Sequence, residues 1–172
     1  MEEIEILSRM LKVSAMQNGL CDQWTTEWDN DCSRDGLIMK YKKGLDFCIK
    51  NDWPSKDFVN SNFDKSFLAS RHIYSDVEAF DDGDFSDIAT IVQHGSTGEL
   101  HFVGYNTTTL WVLHDSEVFV SAAQHANIFV HVYGDAYVTI SCQGDAKVTV
   151  KRHSKSATII RSGNVKCIDP FI

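Results

Sequence analysis

The sequence predicts an α+β protein: a small α-helical N-terminal cap followed by a β-solenoid built from ten-residue repeats. Three observations carry this expectation. Apolar residues recur at helical spacing up to about residue 70 and at alternate positions afterwards. From Ser86 onward small residues return every tenth position, at Ser86, Ser96, Asn106, Ser116, Ala126, Ala136 and Ala146. Turn chemistry falls between the units, at Gly134-Asp135 and Gly144-Asp145.

The elements follow in order. Ile4, Leu7, Leu11 and Ala15 form one face of a first helix, and Asn18-Gly19 offers its stop. A second helix is expected through SRDGLIMKYKKGLDFCIKNDWPS, capped by Ser33 and ended by Pro54, with Leu37, Tyr41, Leu45, Cys48 and Ile49 as its apolar stripe. Ser55 can cap a short third helix carrying Phe58, Val59 and Phe63. The helical cap thus covers residues 1–75. The stretch 76–87 holds six acids between Asp76 and Asp87 and reads as a solvated linker. Its Asp81, Asp82, Asp84 and Asp87 lack the ligand order and closing Glu of an EF-hand loop.

The repeat domain is expected over 88–172. Two positions after each small residue stand Ile88, Gly98, Thr108, Val118, Ile128, Val138 and Val148. Two further on come Thr90, Leu100, Leu110, Val120, Val130, Ile140 and Val150. Alternate side chains of a strand face opposite sides, so each unit is a strand with one buried face. If two units make a coil, Trp111, His131 and Lys151 stack in one column and Thr109, Phe129 and Thr149 in the next. Past Arg152 the pattern continues only with one residue inserted. Open solenoid ends must be blunted: the helices suit one end and the charged tail KRHSKSATIIRSGNVK the other. An antiparallel β-meander covered by the helices is the alternative.

NGLCDQWTTEW, YKKGLDFCIKNDWPSKDFV and the GDAxVT ladder resemble a group of uncharacterised proteins from phages and integrated elements of gut bacteria. Members of that group have a helical N-terminus and a tail of GNATV-like repeats. The resemblance spans most of the chain and implies a setting and a fold; it transfers no active site. The beat of ten is longer than the eight-residue form common in such ladders.

The net charge of −8 disfavours general nucleic-acid binding and anionic membranes, which need basic surplus. An acidic start without a continuous apolar run predicts no signal peptide, and no stretch approaches the ~18 apolar residues of a membrane span. The odd count of five cysteines, without paired spacing, predicts reduced thiols and a cytoplasmic setting, that of the host cell for a phage protein. Cys21, Cys32 and Cys48, even with His72, lack the Cys-x-x-Cys knuckle of zinc sites. His101 and His131 fall on opposite faces, and His94, His114, His125 and His153 in or near turns, so no metal or cofactor is expected. No nucleophile elbow accompanies a Ser, His and Asp set, no phosphate loop occurs, and Glu99 and Glu117 stand alone within their strands. No catalysis is expected.

The outward face carries the functional expectation. Trp111, Phe119, Phe129, His131, Tyr137 and Lys151 form the candidate binding surface. It suits a non-enzymatic binding module of a phage or mobile element, acting on a host protein or small ligand. A virion structural or assembly protein, or a carbohydrate-active or nucleotide-processing β-helix enzyme, are the alternatives. Six acids before the repeats face six bases near the end (Lys147, Lys151, Arg152, Lys155, Arg161 and Lys166), and a homo-oligomer with Trp111 and Phe129 at its contact is expected.

Overall fold

A computed structural model describes residues 2–83 and 89–171, in two compact units, Met1–Asn62 and Phe63–Ile172. The first unit is helical: α1 (Glu2–Gln17), α2 (Asp22–Glu27), a 3-10 turn at Trp28–Asn30, α3 (Arg34–Lys43), α4 (Leu45–Asn51) and α5 (Lys56–Asn62). The stripe of Leu7, Leu11 and Ala15 is buried, as are Leu37, Leu45, Cys48 and Val59. Ser33 caps α3 by accepting the Gly36 N–H at 3.0 Å, and the Phe58 N–H donates to Ser55 Oγ at 3.3 Å. Two indoles are satisfied inside the unit, Trp28 Nε1 by Ser8 Oγ at 3.1 Å and Trp53 Nε1 by Ser14 Oγ at 2.8 Å. Burial pushes the Cys48 thiol up to about 12, which keeps it protonated and inert.

The expected second helix is two. Gly44 interrupts it with φ −95° and ψ 20°, and its N–H closes α3 on the Lys40 carbonyl at 2.8 Å. A glycine has little to keep it helical, and the chain turns there. The short α2 carries no apolar stripe and none of its residues is buried, so periodicity had nothing to detect.

Among the described residues the second unit opens with α6 (Lys65–Ala69) and continues as eleven strands: β1 (Ile73–Ser75), β2 (Phe80–Asp82), β3 (Thr90–Gln93), β4 (Thr97–Phe102), β5 (Thr107–Val112), β6 (Glu117–Ala122), β7 (Asn127–Val132), β8 (Tyr137–Cys142), β9 (Lys147–Arg152), β10 (Thr158–Gly163) and β11 (Val165–Ile168). Odd strands pair in one sheet in the order β1-β3-β5-β7-β9-β11, and even strands in the other, β10-β8-β6-β4-β2. Every pairing is parallel. The domain is a β-solenoid with two strands per coil, and the antiparallel meander is excluded.

The solenoid starts before the ten-residue beat does. β1 precedes the acidic stretch and β2 lies within it, while Asp84, Ser86, Asp87 and Ile88 fall outside the described residues. Phe80 stacks on Tyr74 at 4.1 Å, and the buried Tyr74 hydroxyl donates to Asp82, whose carboxylate also lies 3.1 Å from His72 Nδ1. Burial, then the Asp82 carboxylate, pushes the Tyr74 hydroxyl well above its ordinary range. Ala69 of α6 packs on this end of the core.

Inside, identical positions stack. Val92, Val112 and Val132 form one ladder, Leu110, Val130 and Val150 another, and Leu100, Val120 and Ile140 a third across the axis. All are buried. Each such side chain contributes roughly 1.5–3 kcal/mol by leaving water. The tenth-position residues Ser96, Ser116, Ala126, Ala136 and Ala146 are small because they too are buried, at the corners. Cys142 lies in the same core, its thiol raised by burial.

Six successive corners place a residue with positive φ at one fixed position: His94 (56°), Gly104 (73°), His114 (61°), Gln124 (59°), Gly134 (66°) and Gly144 (64°). Glycine adopts this freely, whereas a side chain costs about 1 kcal/mol or more. A Cβ on Gly134 would also meet the His114 carbonyl oxygen at 2.6 Å.

The C-terminal end is closed by charge turned inward. Arg152 occupies the position that Val112 and Val132 fill in earlier coils, and its guanidinium meets Asp169 Oδ2 at 3.0 Å beneath the Phe171 ring. The Phe171 N–H and the Arg152 guanidinium hold the Asp169 carboxyl below its usual range. Being depressed, it stabilises the end above the ordinary carboxylate pKa of ~3.9 and ceases to do so as pH falls below it. An inward charge at a sheet end deters further strand addition. The inserted residue expected after Arg152 shows as the offset of twenty-one between Tyr137 and Thr158.

Two stability outcomes follow. Val130→Arg, burying an unpaired charge at a position of 0% exposure, should abolish cooperative folding, and Thr139→Arg on the outward side should cost under about 1 kcal/mol. In urea melts, Gly134→Ala should lower stability by roughly 1–3 kcal/mol, whereas Gln124→Gly should be neutral or raise it by up to about 1 kcal/mol.

Candidate functional site

The parallel register decides which outward residues meet. Positions twenty apart are neighbours from β4 to β9, so Ile91, Trp111, His131, Lys151 and Ile168 form one outward column of the odd sheet. Thr109, Phe129, Thr149 and Lys166 form the next. β1 and β3 are buried on both faces, and the odd face opens from β5 on.

Four of the six expected surface residues therefore share this face: Trp111, Phe129, His131 and Lys151. Phe119 on β6 and Tyr137 on β8 lie on the even sheet, each outward. The expected surface is two surfaces.

On the odd face the rings form a continuous stack. Trp111 lies on His131 with centroids 4.2 Å apart and planes 12° from parallel. Tyr133 lies on His153 at 4.1 Å and 5°, and also 6.1 Å from Trp111. His131 Nδ1 is 2.9 Å from His153 Nε2, so one imidazole donates and the other accepts. His153 and Tyr133 join the site from the corner beyond the strand. Their signal in the sequence was an offset of twenty-two, from His131 to His153 and from Trp111 to Tyr133. Phe129 stands beside the stack, 42% exposed. The same stacking recurs at other corners, in His94 on His114 at 4.1 Å and Tyr105 on His125 at 4.7 Å.

The two faces differ in charge. Outward positions of β5, β7, β9 and β11 include Lys147, Lys151 and Lys166 and, among the described residues, no acid. Outward positions of β2, β4 and β6 include Asp81, Glu99 and Glu117.

The even face holds a second constellation. Glu99 is the sole acid of its strand but stands in register with Asp81. His101 Nε2 is 3.4 Å from Asp81 Oδ1 and 3.4 Å from Glu99 Oε2, while His101 Nδ1 is 2.7 Å from Ser121 Oγ. Phe119 lies 6.5 Å from the His101 ring. His101 and His131 are indeed on opposite faces.

All five cysteines are free thiols; Cys21 is exposed and Cys48 and Cys142 buried. Among the described residues no group of three His, Cys, Asp or Glu is arranged to hold a metal ion, and no helix is long and apolar enough to cross a membrane. Comparison with known proteins returns no matching family model, no matching curated protein and no matching solved structure.

The 2.9 Å imidazole contact needs a proton on one facing nitrogen and a lone pair on the other, so the tautomer of each ring is set by its neighbour. Imidazole ¹⁵N NMR should show one protonated and one unprotonated facing nitrogen, and His153→Gln should change the His131 ring signals. Identical His131 signals in wild type and variant would refute the contact.

Proposed function

We propose that this protein is a binding module encoded by a phage or mobile element, docking an acidic host-protein surface on the odd face of its solenoid. One observation carries this reading: a chain of net charge −8 presents Lys147, Lys151 and Lys166 beside Trp111, Phe129 and His131, on outward positions without an acid. The stacked rings cover each other's faces and turn their edges outward. Ring edges carry the positive end of the aromatic quadrupole and favour anionic groups, whereas base or sugar stacking would need free faces. Exposed ion pairs supply only ~0–1 kcal/mol each, so burial of Phe129 and the Trp111 edge supplies most of the affinity. The mobile-element setting rests on the resemblance drawn from the sequence, through the GDAxVT ladder, alone.

The same complementarity suits a second copy, whose even face carries Asp81, Glu99 and Glu117. Homo-oligomerisation through Trp111 and Phe129 is part of the proposal. A face meeting a different face is heterologous, and such contacts form rings or open chains.

Immobilised poly-L-glutamate is the probe. Wild type should bind it at low salt, and Lys147→Glu with Lys151→Glu should weaken binding about tenfold; equal binding by both would overturn the docking face. Light scattering reads the second part. A mass that drops toward 19.4 kDa in a Trp111→Ala, Phe129→Ala variant supports self-association, and a wild type already at 19.4 kDa refutes it.

A further inference from the structure

The even face carries chemistry that docking on a host protein does not use. Ionised carboxylates can only accept hydrogen bonds, so Asp81 and Glu99, each 3.4 Å from His101 Nε2, favour the ring proton on that nitrogen. His101 Nδ1 is then the lone-pair nitrogen, and the Ser121 hydroxyl donates to it across 2.7 Å. A hydroxyl on a base, and the base oriented by acids behind it, is the arrangement that turns serine into a nucleophile.

We infer that Ser121 is an activated nucleophile, with His101 as its general base and Asp81 and Glu99 as positioning residues, and that it accepts acyl groups from activated esters. The step balances. The Ser121 Oγ–H proton passes to His101 Nδ1 as Oγ bonds to the acyl carbon, and the carbonyl electron pair moves onto oxygen. Its return breaks the bond to the leaving oxygen or sulfur, which takes the proton from His101. Water then repeats the sequence, releasing the acid and restoring the hydroxyl.

The surroundings define the substrate. Phe119 gives an apolar wall on one side of His101. Ser141, in register with Ser121, is the next hydroxyl along the column and can donate to the developing oxyanion. Asp81 and Glu99 are 79% and 59% exposed in their side chains, so the site is solvated and gives a charged transition state little low-dielectric help. The reaction therefore depends on a good leaving group: short-chain aryl esters or thioesters. The carboxylates, with Glu117 nearby in the sheet, disfavour anionic substrates. The site is on the sheet opposite the host-docking face, so neither of these two readings rests on the other, whereas self-association through the even face would cover it.

A biotinylated fluorophosphonate and p-nitrophenyl acetate test it on the full-length chain. The probe should add one phosphonyl group at Ser121, located by tandem mass spectrometry, with the serine proton leaving as hydrogen fluoride. Ser121→Ala should remove the adduct and the ester hydrolysis. His101→Ala should slow both by about 100-fold, and Asp81→Asn with Glu99→Gln should approach that loss. Thermal melts establish that each variant is folded. Should Ser121→Ala fail to fold, Ser121→Cys should take iodoacetamide in a manner that His101→Ala slows. Wild type without a Ser121 adduct, equal labelling of Ser141 and of Ser162, which follows it in register on β10, or a rate indifferent to His101 would overturn the proposal.

Discussion

Strands β5 to β9 are tied to the chain one coil earlier by main-chain hydrogen bonds, such as Glu117 N–H to the Ser96 carbonyl at 3.0 Å and Asn127 N–H to the Asn106 carbonyl at 2.8 Å. From β3 to β9 every coil of this parallel ladder spends twenty residues. Equal length puts like positions over one another, and the rest of the molecule depends on that. Valine lies on valine inside, ring lies on ring outside, and the left-handed corner residue recurs above its counterpart. A deletion within a coil would shift every one of these columns at once, because a one-residue slip turns a strand's inward set outward.

Constancy inside leaves the outside free to vary. Core positions are mostly small and branched aliphatic residues, with Phe102 and Tyr74 among the exceptions, but outward positions answer only to their neighbours in the column. The odd face has become aromatic and cationic and the even face acidic and hydroxyl-bearing, on a common scaffold. The ends obey different rules: β1 and β2 pair at an offset of eighteen, and β11 pairs with β9 at seventeen. Shorter coils, α6 at one end and Arg152 with Asp169 at the other, terminate the stack.

The legible part of the fold was the part governed by repetition. Strict alternation through Leu100, Val120, Ile140 and their companions exposed the buried face, and the tenfold beat exposed the corners. The columns holding Trp111, His131 and Lys151 followed once two units were taken as a coil. Where the beat lapses, legibility lapses with it: β1 and β2 are three residues each, too short to alternate visibly, and β2 lies among acids. Gly44 was absorbed into one long helix because the apolar stripe runs across it. The even-face constellation was missed for another reason. Glu99 and Ser121 look isolated along the chain, and only the partner twenty or eighteen residues away supplies the imidazole and the second carboxylate. Phe119 and Tyr137 share outward parity with Trp111 yet lie across the axis, since parity tells inside from outside and the coil half tells which outside.

Two strands per coil also sets the unit in which such a chain can lengthen. Duplicating twenty residues in the middle of the stack adds a full layer and leaves every later residue over its old column. Duplicating a single ten-residue unit keeps inside and outside intact but moves all that follows to the other sheet. Lysines would then appear among acids, and the serine column would continue as the aromatic one. A gene that grows by the shorter step therefore retains a foldable core while exchanging the two surfaces it presents, so new faces can arise here without a new fold.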